Sequence, residues 1–276
     1  YPRRDSSAWV AGESAVWQQL DAFIAEQVAA YDTERDLPAL HGTSKLSPYL
    51  ELGALGPVTA ARRLQQLAPE FPDGLNEGAN TWLSELAWRE FYQHLMDAEP
   101  RLSWGQAFQP HTDAFPWNDS DADFKAWCEG RTGYPIVDAG MRQLQQEGWM
   151  HNRVRMIVAN FLVKDLHIDW RKGEQFFMQN LIDGSFPANN GGWQWSASTG
   201  TDAVPYFRVF NPTSQSQKVD PDGSYIRKYV PELAQCPQRE IHAPAQWLKF
   251  SDVDYPAPIV DHKEAREGFL RKFKAL

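Results

Sequence analysis

The chain has 276 residues, and its 36 acidic against 27 basic side chains give a net charge of −9. That length can bury a large core, while the acidic balance argues against nucleic-acid or anionic membrane partners unless basic residues cluster locally. Two cysteines form neither a disulfide framework nor a cysteine metal site, so a cytoplasmic protein without metal is expected.

Helix signals dominate the chain, and no apolar run approaches the roughly 18 residues of a membrane span. Helices are predicted at 13–31, from Pro57 onward, and at 78–96, 135–147, 151–166, 173–182 and 262–274. Alternation of β-branched residues is nowhere long enough for a sheet. Connections are expected at 110–121 and 183–212, and an extended tail at 231–258. The pattern predicts one all-α domain over residues 1–276.

The segment 42–48 concentrates hydroxyl groups and one cation ahead of a predicted helix start. Two serines, a threonine and Lys45 precede Pro48. Free N–H groups at a helix start, beside hydroxyl donors, can bind phosphate. Alternatively, Ser47 is an ordinary N-cap in a turn, which is the simpler interpretation of this segment alone. Neither a Walker motif nor a dinucleotide-fold glycine pattern occurs.

Two predicted helices carry polar residues where a plain core helix would not. In 78–96, Glu85 and Trp88 fall on a different face from the apolar repeat, which indicates a helix between a core and a site. A solvated i,i+4 pair of Glu85 with Arg89 explains that spacing equally well. In 151–166, Asn152 and Met156 share one face.

The residues around Asn152 are interpreted from their positions on the predicted helix. Arg155 lies on the same face as Asn152, whereas Arg153 is placed where it can point to solvent. His151 is as consistent with a helix start or a surface position as with catalysis.

The segment 183–202 combines paired asparagines, paired glycines and two tryptophans one residue apart. It follows neither the helix period nor strand alternation, so a loop is predicted that is built around a ligand. The chain as a whole has 12 tryptophans, well above the usual number for its length.

Seven motifs then occur in order along the chain. They are YDTERD (31–36), GTSKLS (42–47), ELAWREFY (85–92), GYPIVDA (133–139), WMHNRVRM (149–156), KDLHIDWR (164–171) and NNGGWQW (189–195). Together they resemble the FAD-binding helical domain of the photolyase and cryptochrome family, most closely class I cyclobutane pyrimidine dimer photolyases. The resemblance extends over nearly the whole chain and implies the all-α fold of that domain.

The resemblance implies one non-covalent FAD, folded into a U shape deep in the domain. Asn152 would lie on the adenine side, Arg155 would pair with Asp183 beside the flavin, and Asn189 would lie at the flavin N5. The other expected cofactor-binding residues are Tyr31, Thr43, Ser44, Lys45, Leu46, Ser47, Trp82, Arg89, Trp149 and Ser185.

The resemblance also implies light-driven repair of cyclobutane pyrimidine dimers in DNA, by electron transfer from reduced FAD to a flipped-out dimer. The protein is expected to act as a monomer. Trp88 and Trp195 would sandwich the dimer, which repays part of the unstacking energy. Glu85 would hydrogen-bond to its carbonyls, with Glu85 and Asn189 as the catalytic residues. The remaining expected contacts are Asn152 and Met156 to the dimer, and Arg153 and Arg208 to flanking phosphates.

Three indoles would form an electron-transfer chain from the flavin to the surface. They fall at Trp193, Trp170 and Trp117. For any one tryptophan, core packing is the simpler explanation, and only the joint match to the family positions favours electron transfer.

The chain departs from the family pattern in three ways. Family members begin with an α/β antenna domain that this sequence does not contain, so a single catalytic domain without an antenna chromophore is expected. Ser185 stands where an acidic residue is common, and Lys45 stands where Arg is usual, which keeps the charge but loses the planar guanidinium. The alternative function is a cryptochrome-like blue-light photoreceptor that uses the same FAD and Trp chain without repair.

Overall fold

Helices make up nearly all the regular structure of residues 9–276, the part of the chain that the computed structural model describes. The first eight residues of the predicted 1–276 domain lie outside it. In the described part, the only β pairing is an isolated bridge between Asn118 and Ile168. The all-α prediction is therefore confirmed.

The α-helices of the described residues are numbered in chain order. They are α1 (Glu13–Glu26), α2 (Tyr31–Glu34), α3 (Ser47–Glu51), α4 (Pro57–Leu64), α5 (Glu77–Ala98), α6 (Asp121–Glu129), α7 (Pro135–Glu147), α8 (Asn152–Asn160), α9 (Trp170–Asn180), α10 (Phe186–Ala197), α11 (Pro212–Val219), α12 (Ser224–Tyr229), α13 (Ala245–Leu248) and α14 (His262–Lys274). A π-helical turn, Phe161–Asp165, follows α8. None of these helices has the length and apolar character needed to cross a membrane.

Apolar side chains form two separate cores. The first joins α1, α4 and α5 through residues such as Leu20, Leu64 and Trp82. The second, larger core joins α6 to α12 and contains Trp127 and Trp193. Helix α10 packs on α5 as well as on α8 and α9, so it lies where the two halves meet.

The predicted loop at 183–202 is wrong, because residues 186–197 form α10. Its buried face is Asn190, Trp193, Gln194 and Ala197, which follows the helical spacing i, i+3, i+4 and i+7. Half of that face is polar, so hydrophobic periodicity does not reveal it. The two amides are satisfied internally, since the Gln194 Nε2 donates to Asn190 Oδ1 at 2.9 Å and Asn190 Nδ2 donates to the Glu174 carboxylate at 2.7 Å.

Other helix boundaries also differ from the predictions. Helix α6 was not predicted, although Ser120 caps its start and the left-handed Gly130 ends it. Helices α11 and α12 were not predicted either, and the expected extended tail contains the short helix α13. The predicted 13–31 helix stops at Glu26, whereas 135–147 and 262–274 match α7 and α14.

Close packing of α10 on α5 depends on Gly191. A Cβ there would lie 2.1 Å from the Tyr92 ring, whereas a Cβ on Gly192 would meet nothing within 4 Å. We expect Gly191→Ala to lower the free energy of unfolding by about 1–3 kcal/mol, because the added methyl overpacks the interface. Gly192→Ala is the matched control and should leave stability unchanged or raise it by up to about 1 kcal/mol, since alanine is the better helix former.

Urea unfolding of the flavin-free protein measures both variants. Equal stability of Gly191→Ala and Gly192→Ala would show that α10 does not rest on Tyr92 as described.

Candidate functional site

Three adjoining cavities lie between the segment 43–47 and helices α5, α8 and α10. The first has a volume of about 270 Å³. Thirteen of the fourteen predicted cofactor-binding residues line it, all except Asn189. The structure therefore brings together side chains that are up to 154 positions apart, from Tyr31 to Ser185.

Asp183 is the central anion of this cavity wall, and its side chain is only 2% exposed. Arg155 donates from Nη2 to both carboxylate oxygens, at 3.0 and 2.8 Å. The Ser47 hydroxyl donates to the Asp183 Oδ2 at 2.6 Å. The predicted pair of Arg155 with Asp183 is thus formed, and the Ser47 hydrogen bond connects α3 to the segment that leads into α10.

The interpretation of Ser47 as an ordinary N-cap is wrong. Leu46 occupies the cap position of α3, no side chain caps that helix, and the Ser47 hydroxyl is used by Asp183. Ser185, in contrast, does occupy the N-cap position of α10, but its side chain makes no capping hydrogen bond. Its hydroxyl is buried at the cavity wall without a hydrogen-bond partner among the described residues.

Trp149 forms another part of the same wall, with cations close to its ring. The Lys45 Nζ lies 5.2 Å and the Arg155 Cζ 6.0 Å from the ring centroid. Lys45 has a left-handed backbone conformation with φ of 49°, which is uncommon outside glycine. The Trp149 Nε1 is buried without a partner in the described part of the chain.

The second cavity, about 170 Å³, is lined by the missing cofactor residue, Asn189, together with Trp193. The Asn189 Nδ2 donates to the Glu174 carbonyl at 3.0 Å, which fixes the orientation of its amide. Gly192 also lines this cavity, and a side chain there would project into open space. The Trp193 Nε1 is a further buried N–H without a partner among residues 9–276.

The third cavity, about 390 Å³, contains the residues predicted to contact a dimer. Glu85, Trp88, Asn152, Met156 and Trp195 all line it. Trp88 is 42% exposed, as expected of a ring that forms the wall of an open cavity. The two predicted stacking tryptophans, one on α5 and one on α10, therefore border the same space.

The solvated pair of Glu85 with Arg89, the simpler explanation of their spacing, does not form. The Glu85 carboxylate pairs instead with Arg35, which comes from the end of α2. Arg89 pairs with Glu90 at 2.9 Å and lies 3.8 Å from Glu51. Glu85 and Arg89 both line the first and third cavities, so α5 presents its polar face to the site.

The two arginines predicted to hold flanking phosphates lie outside all three cavities. Arg153 makes a bidentate pair with Asp36, with Nε to Oδ1 at 2.9 Å and Nη2 to Oδ2 at 2.5 Å. The expectation that it points freely to solvent is therefore wrong. Arg208 is exposed and, within the described residues, has no ion pair.

The three indoles of the predicted electron-transfer chain differ in burial. Trp193 and Trp170 are 2% and 1% exposed, whereas Trp117 is partly exposed. Among the described residues they make no ring contacts with one another: Trp193 contacts Phe177 at 5.0 Å and Trp117 contacts Phe115 at 4.3 Å between ring centroids, whereas the Arg171 Cζ lies 4.6 Å from the Trp170 centroid.

Sequence reasoning missed several residues of the site. Arg35, the partner of Glu85, lies in the YDTERD motif, where its charge was the available signal. Ala188 and Gly192 line the cavities through their lack of bulk, and small residues give no chemical signal. Trp127 contacts Trp193 at 6.0 Å and was indistinguishable in sequence from any other core tryptophan.

His151 sets the start of α8, which carries Asn152, Arg155 and Met156. Its Nδ1 accepts from the Arg153 backbone N–H at 3.2 Å as an N-cap, which supports its interpretation as a helix start; its 2% exposure excludes a surface position. Burial lowers the pKa of the His151 imidazole to about 4, and the neighbouring arginines act in the same direction. The ring is therefore neutral at pH 7, as its acceptor role requires.

We expect His151→Asn to flatten the pH dependence of stability between pH 6.5 and 4. Because the folded-state pKa lies below the unfolded value of about 6.5, His151 stabilises the fold above that pH, and the contribution is lost as the pH falls toward 4. Asparagine keeps an N-cap acceptor but does not titrate. Urea unfolding at several pH values should show a wild-type slope steeper by up to about 1.4 kcal/mol per pH unit; parallel profiles would contradict the assignment.

Comparison with known proteins agrees with this geometry. The sequence profile described as "FAD binding domain of DNA photolyase" matches residues 82–275. A Vibrio cholerae protein named deoxyribodipyrimidine photo-lyase is 54% identical over 275 residues, which cover 99% of this chain and 58% of that protein. A class III photolyase structure from Agrobacterium tumefaciens has a TM-score of 0.92 at 44% identity, covering 98% of this chain and 57% of that one. A Synechocystis cryptochrome structure has a TM-score of 0.89 at 33% identity, covering 98% and 59%.

The chain thus spans a little under three fifths of the length of these relatives. One of them is a class III photolyase, so the class I assignment stays a prediction. The fold, the ordered motifs and the matched residues agree, and the chain belongs to the photolyase and cryptochrome family as an FAD-binding helical domain of DNA photolyase type.

Proposed function

We propose that the protein repairs cyclobutane pyrimidine dimers in DNA with light, using one FAD. One observation carries the proposal: the cavity lined by the predicted cofactor residues and the cavity lined by Trp88 and Trp195 share a wall. That wall consists of Glu85, Arg89, Asn152 and Ala188. A cofactor in the first cavity and a pyrimidine dimer in the third would lie next to each other across this wall, which electron transfer between them requires.

The residues present fit FAD in three respects. Ser44, Lys45 and Arg155 supply hydroxyl and cationic donors of the kind that bind a diphosphate. The Ser185 hydroxyl and the Trp193 Nε1 are buried at the cavity walls without partners in the described chain, as expected of donors that face a ligand. Gly192 leaves open space in the middle of a helix, where glycine is unfavourable unless something lies against it.

When bound in its reduced form, FAD supplies the light-driven electron that splits the dimer. The protein's own part is to bind and orient the substrate and to exclude water. Trp88 and Trp195 offer ring faces on which the extruded bases stack. The Glu85 carboxylate, paired with Arg35, can accept from base N–H groups, whereas the predicted hydrogen bond to the dimer carbonyls would require its protonated form. Met156 supplies an apolar contact.

The remaining assignments belong to the same proposal. Trp193, Trp170 and Trp117 would pass electrons inward to the cofactor, and Asn189 would lie beside the flavin ring. We also propose a monomer that acts in the cytoplasm. Similarity to a cryptochrome structure supports one alternative, a photoreceptor with the same cofactor and no repair.

Gly192→Ala tests the cofactor site. The added methyl would enter the second and third cavities, so we expect FAD affinity to fall about 5- to 150-fold, from an overpacking energy of about 1–3 kcal/mol. Titration of the flavin-free protein with FAD, followed by flavin fluorescence, gives the affinity. Since this variant should be at least as stable as wild type, lost binding would not reflect unfolding; unchanged affinity would place FAD elsewhere.

Trp88→Ala tests the substrate site in the FAD-loaded, reduced protein. Stacking on an aromatic ring is worth about 1–3 kcal/mol per base, so we expect affinity for an oligonucleotide with one thymine dimer to fall about 5- to 150-fold. Trp104→Ala is the control, because Trp104 is 77% exposed and lines none of the three cavities. Fluorescence anisotropy measures binding.

Repair itself is followed as recovery of thymine absorbance on illumination. Wild type and Trp104→Ala should restore it, whereas darkness should not. If the loaded wild-type protein restores no absorbance, repair is refuted and the photoreceptor alternative remains.

A further inference from the structure

Helix α14 carries an excess of positive charge on a chain whose net charge is −9. It contains five lysines and arginines against two glutamates. Four of the cations, Lys263, Arg266, Arg271 and Lys274, are exposed, and we call them the α14 basic face. Among the described residues none of these four has a carboxylate partner. The fifth cation of α14, Lys272, donates from Nζ to the Pro116 carbonyl and to Asn118 Oδ1.

Helix-dipole compensation does not account for this charge. Cations near a helix C-terminus stabilise the helix by about 0.3–1 kcal/mol, which would explain Arg271 and Lys274. Lys263 lies in the first turn of α14, where a cation opposes the dipole, and Arg266 lies in the middle. Half of the α14 basic face therefore has no role in stabilising its own helix.

Three arginines on the elements around the cavities are already paired with carboxylates. Arg35 pairs with Glu85, Arg89 with Glu90, and Arg153 with Asp36. Each would have to give up a carboxylate to bind a phosphate, which weakens it as a source of DNA affinity. The unpaired cations of α14 carry no such penalty.

Helix α14 contacts the loop at 205–208, which is linked in turn to Trp195 at the third cavity. The Tyr206 and Phe273 rings stack face to face, with centroids 5.0 Å apart and planes 3° apart. Phe273 and Arg266 lie on one row of α14, since they are seven residues apart. On the other side of the loop, the Val204 N–H donates to the Trp195 carbonyl at 3.2 Å.

Arg208 lies in that loop and is exposed. The buried Lys164 Nζ donates to the Arg208 carbonyl at 3.1 Å and holds the loop against the π-helical turn, on which α14 also packs. A path of structure thus runs from Trp195 through Arg208 to α14. Helix α14 itself is about 20 Å long, at 1.5 Å for each of its 13 residues.

We propose that the α14 basic face binds the backbone phosphates of DNA that flanks the lesion. The inference rests on the proposed function, because it takes the third cavity as the place where the damaged bases enter. With one phosphate per 3.4 Å of helix axis on each strand, 20 Å of cationic surface reaches several phosphates beyond the lesion. These contacts are independent of sequence, and they explain how a chain of net charge −9 binds a polyanion.

The test compares two triple variants of the FAD-loaded protein with equal net charge. One is Arg266→Ala/Arg271→Ala/Lys274→Ala. Its control, Arg62→Ala/Arg131→Ala/Lys249→Ala, removes three exposed cations from α4, from the turn after α6 and from the end of α13. The probes are a 20-base-pair duplex with one central thymine dimer and the isolated thymine-dimer dinucleotide.

For the duplex, we expect the α14 variant to lose about tenfold or more in affinity, and its slope of log affinity against log salt to become shallower by about 2–3. The reason is that each phosphate contact contributes about 0.9 to that slope. The control should keep the wild-type slope. For the dinucleotide, which has no flanking phosphates, both variants should bind and repair as wild type does.

A wild-type slope in the α14 variant, or an equal loss in the control, overturns the proposal. A charge-retaining variant, Arg266→Lys/Arg271→Lys/Lys274→Arg, should keep the wild-type slope, which separates lost charge from damaged folding; loss of the slope there would also refute the proposal. Failure of the wild-type protein to repair the dinucleotide would instead refute the proposed function. The salt dependence of duplex binding would still test whether the α14 basic face contacts phosphates.

Discussion

The hydrogen-bonded charge of Asp183 is the interaction on which the site depends. Its buried carboxylate accepts from Arg155 on α8 and from Ser47 on α3, while its own backbone leads into α10. Three elements that are distant in sequence are therefore held by one anion. A buried carboxylate is stable only when it is fully paired, so the positions of these three elements depend on one another.

Helix α10 begins shortly after Asp183 and lines both the second and the third cavity. One face carries amides that bond to each other and to Glu174, which allows polar residues to be buried deep in the domain. The opposite side presents Ala188 and Gly192, whose lack of bulk leaves room for ligands on both sides. The two tryptophans of the NNGGWQW motif consequently point into different environments, with Trp193 in the core and Trp195 at the third cavity.

Helix periodicity predicted the fold class and the long helices, whereas most of the cavity lining was predicted from the family resemblance. Polar residues on a helix face, such as Glu85 and Asn152, were informative because packing alone does not require them there. Helix α10 was missed as a whole because its buried face is half polar. Pairs between distant residues could not be anticipated either: Arg153 is neutralised by Asp36 and Glu85 by Arg35, and no local pattern encodes contacts across 117 or 50 positions.

The positions of Gly192 and Ser185 also bear on how the fold is stabilised. A glycine inside a helix, a capping residue that does not cap, and buried N–H groups without partners all leave free energy that the polypeptide alone does not recover. A ligand that fills these cavities binds the folded chain and not the unfolded one. Mass action then makes the stability of the domain a function of the concentration of its cofactor, increasing as the logarithm of that concentration.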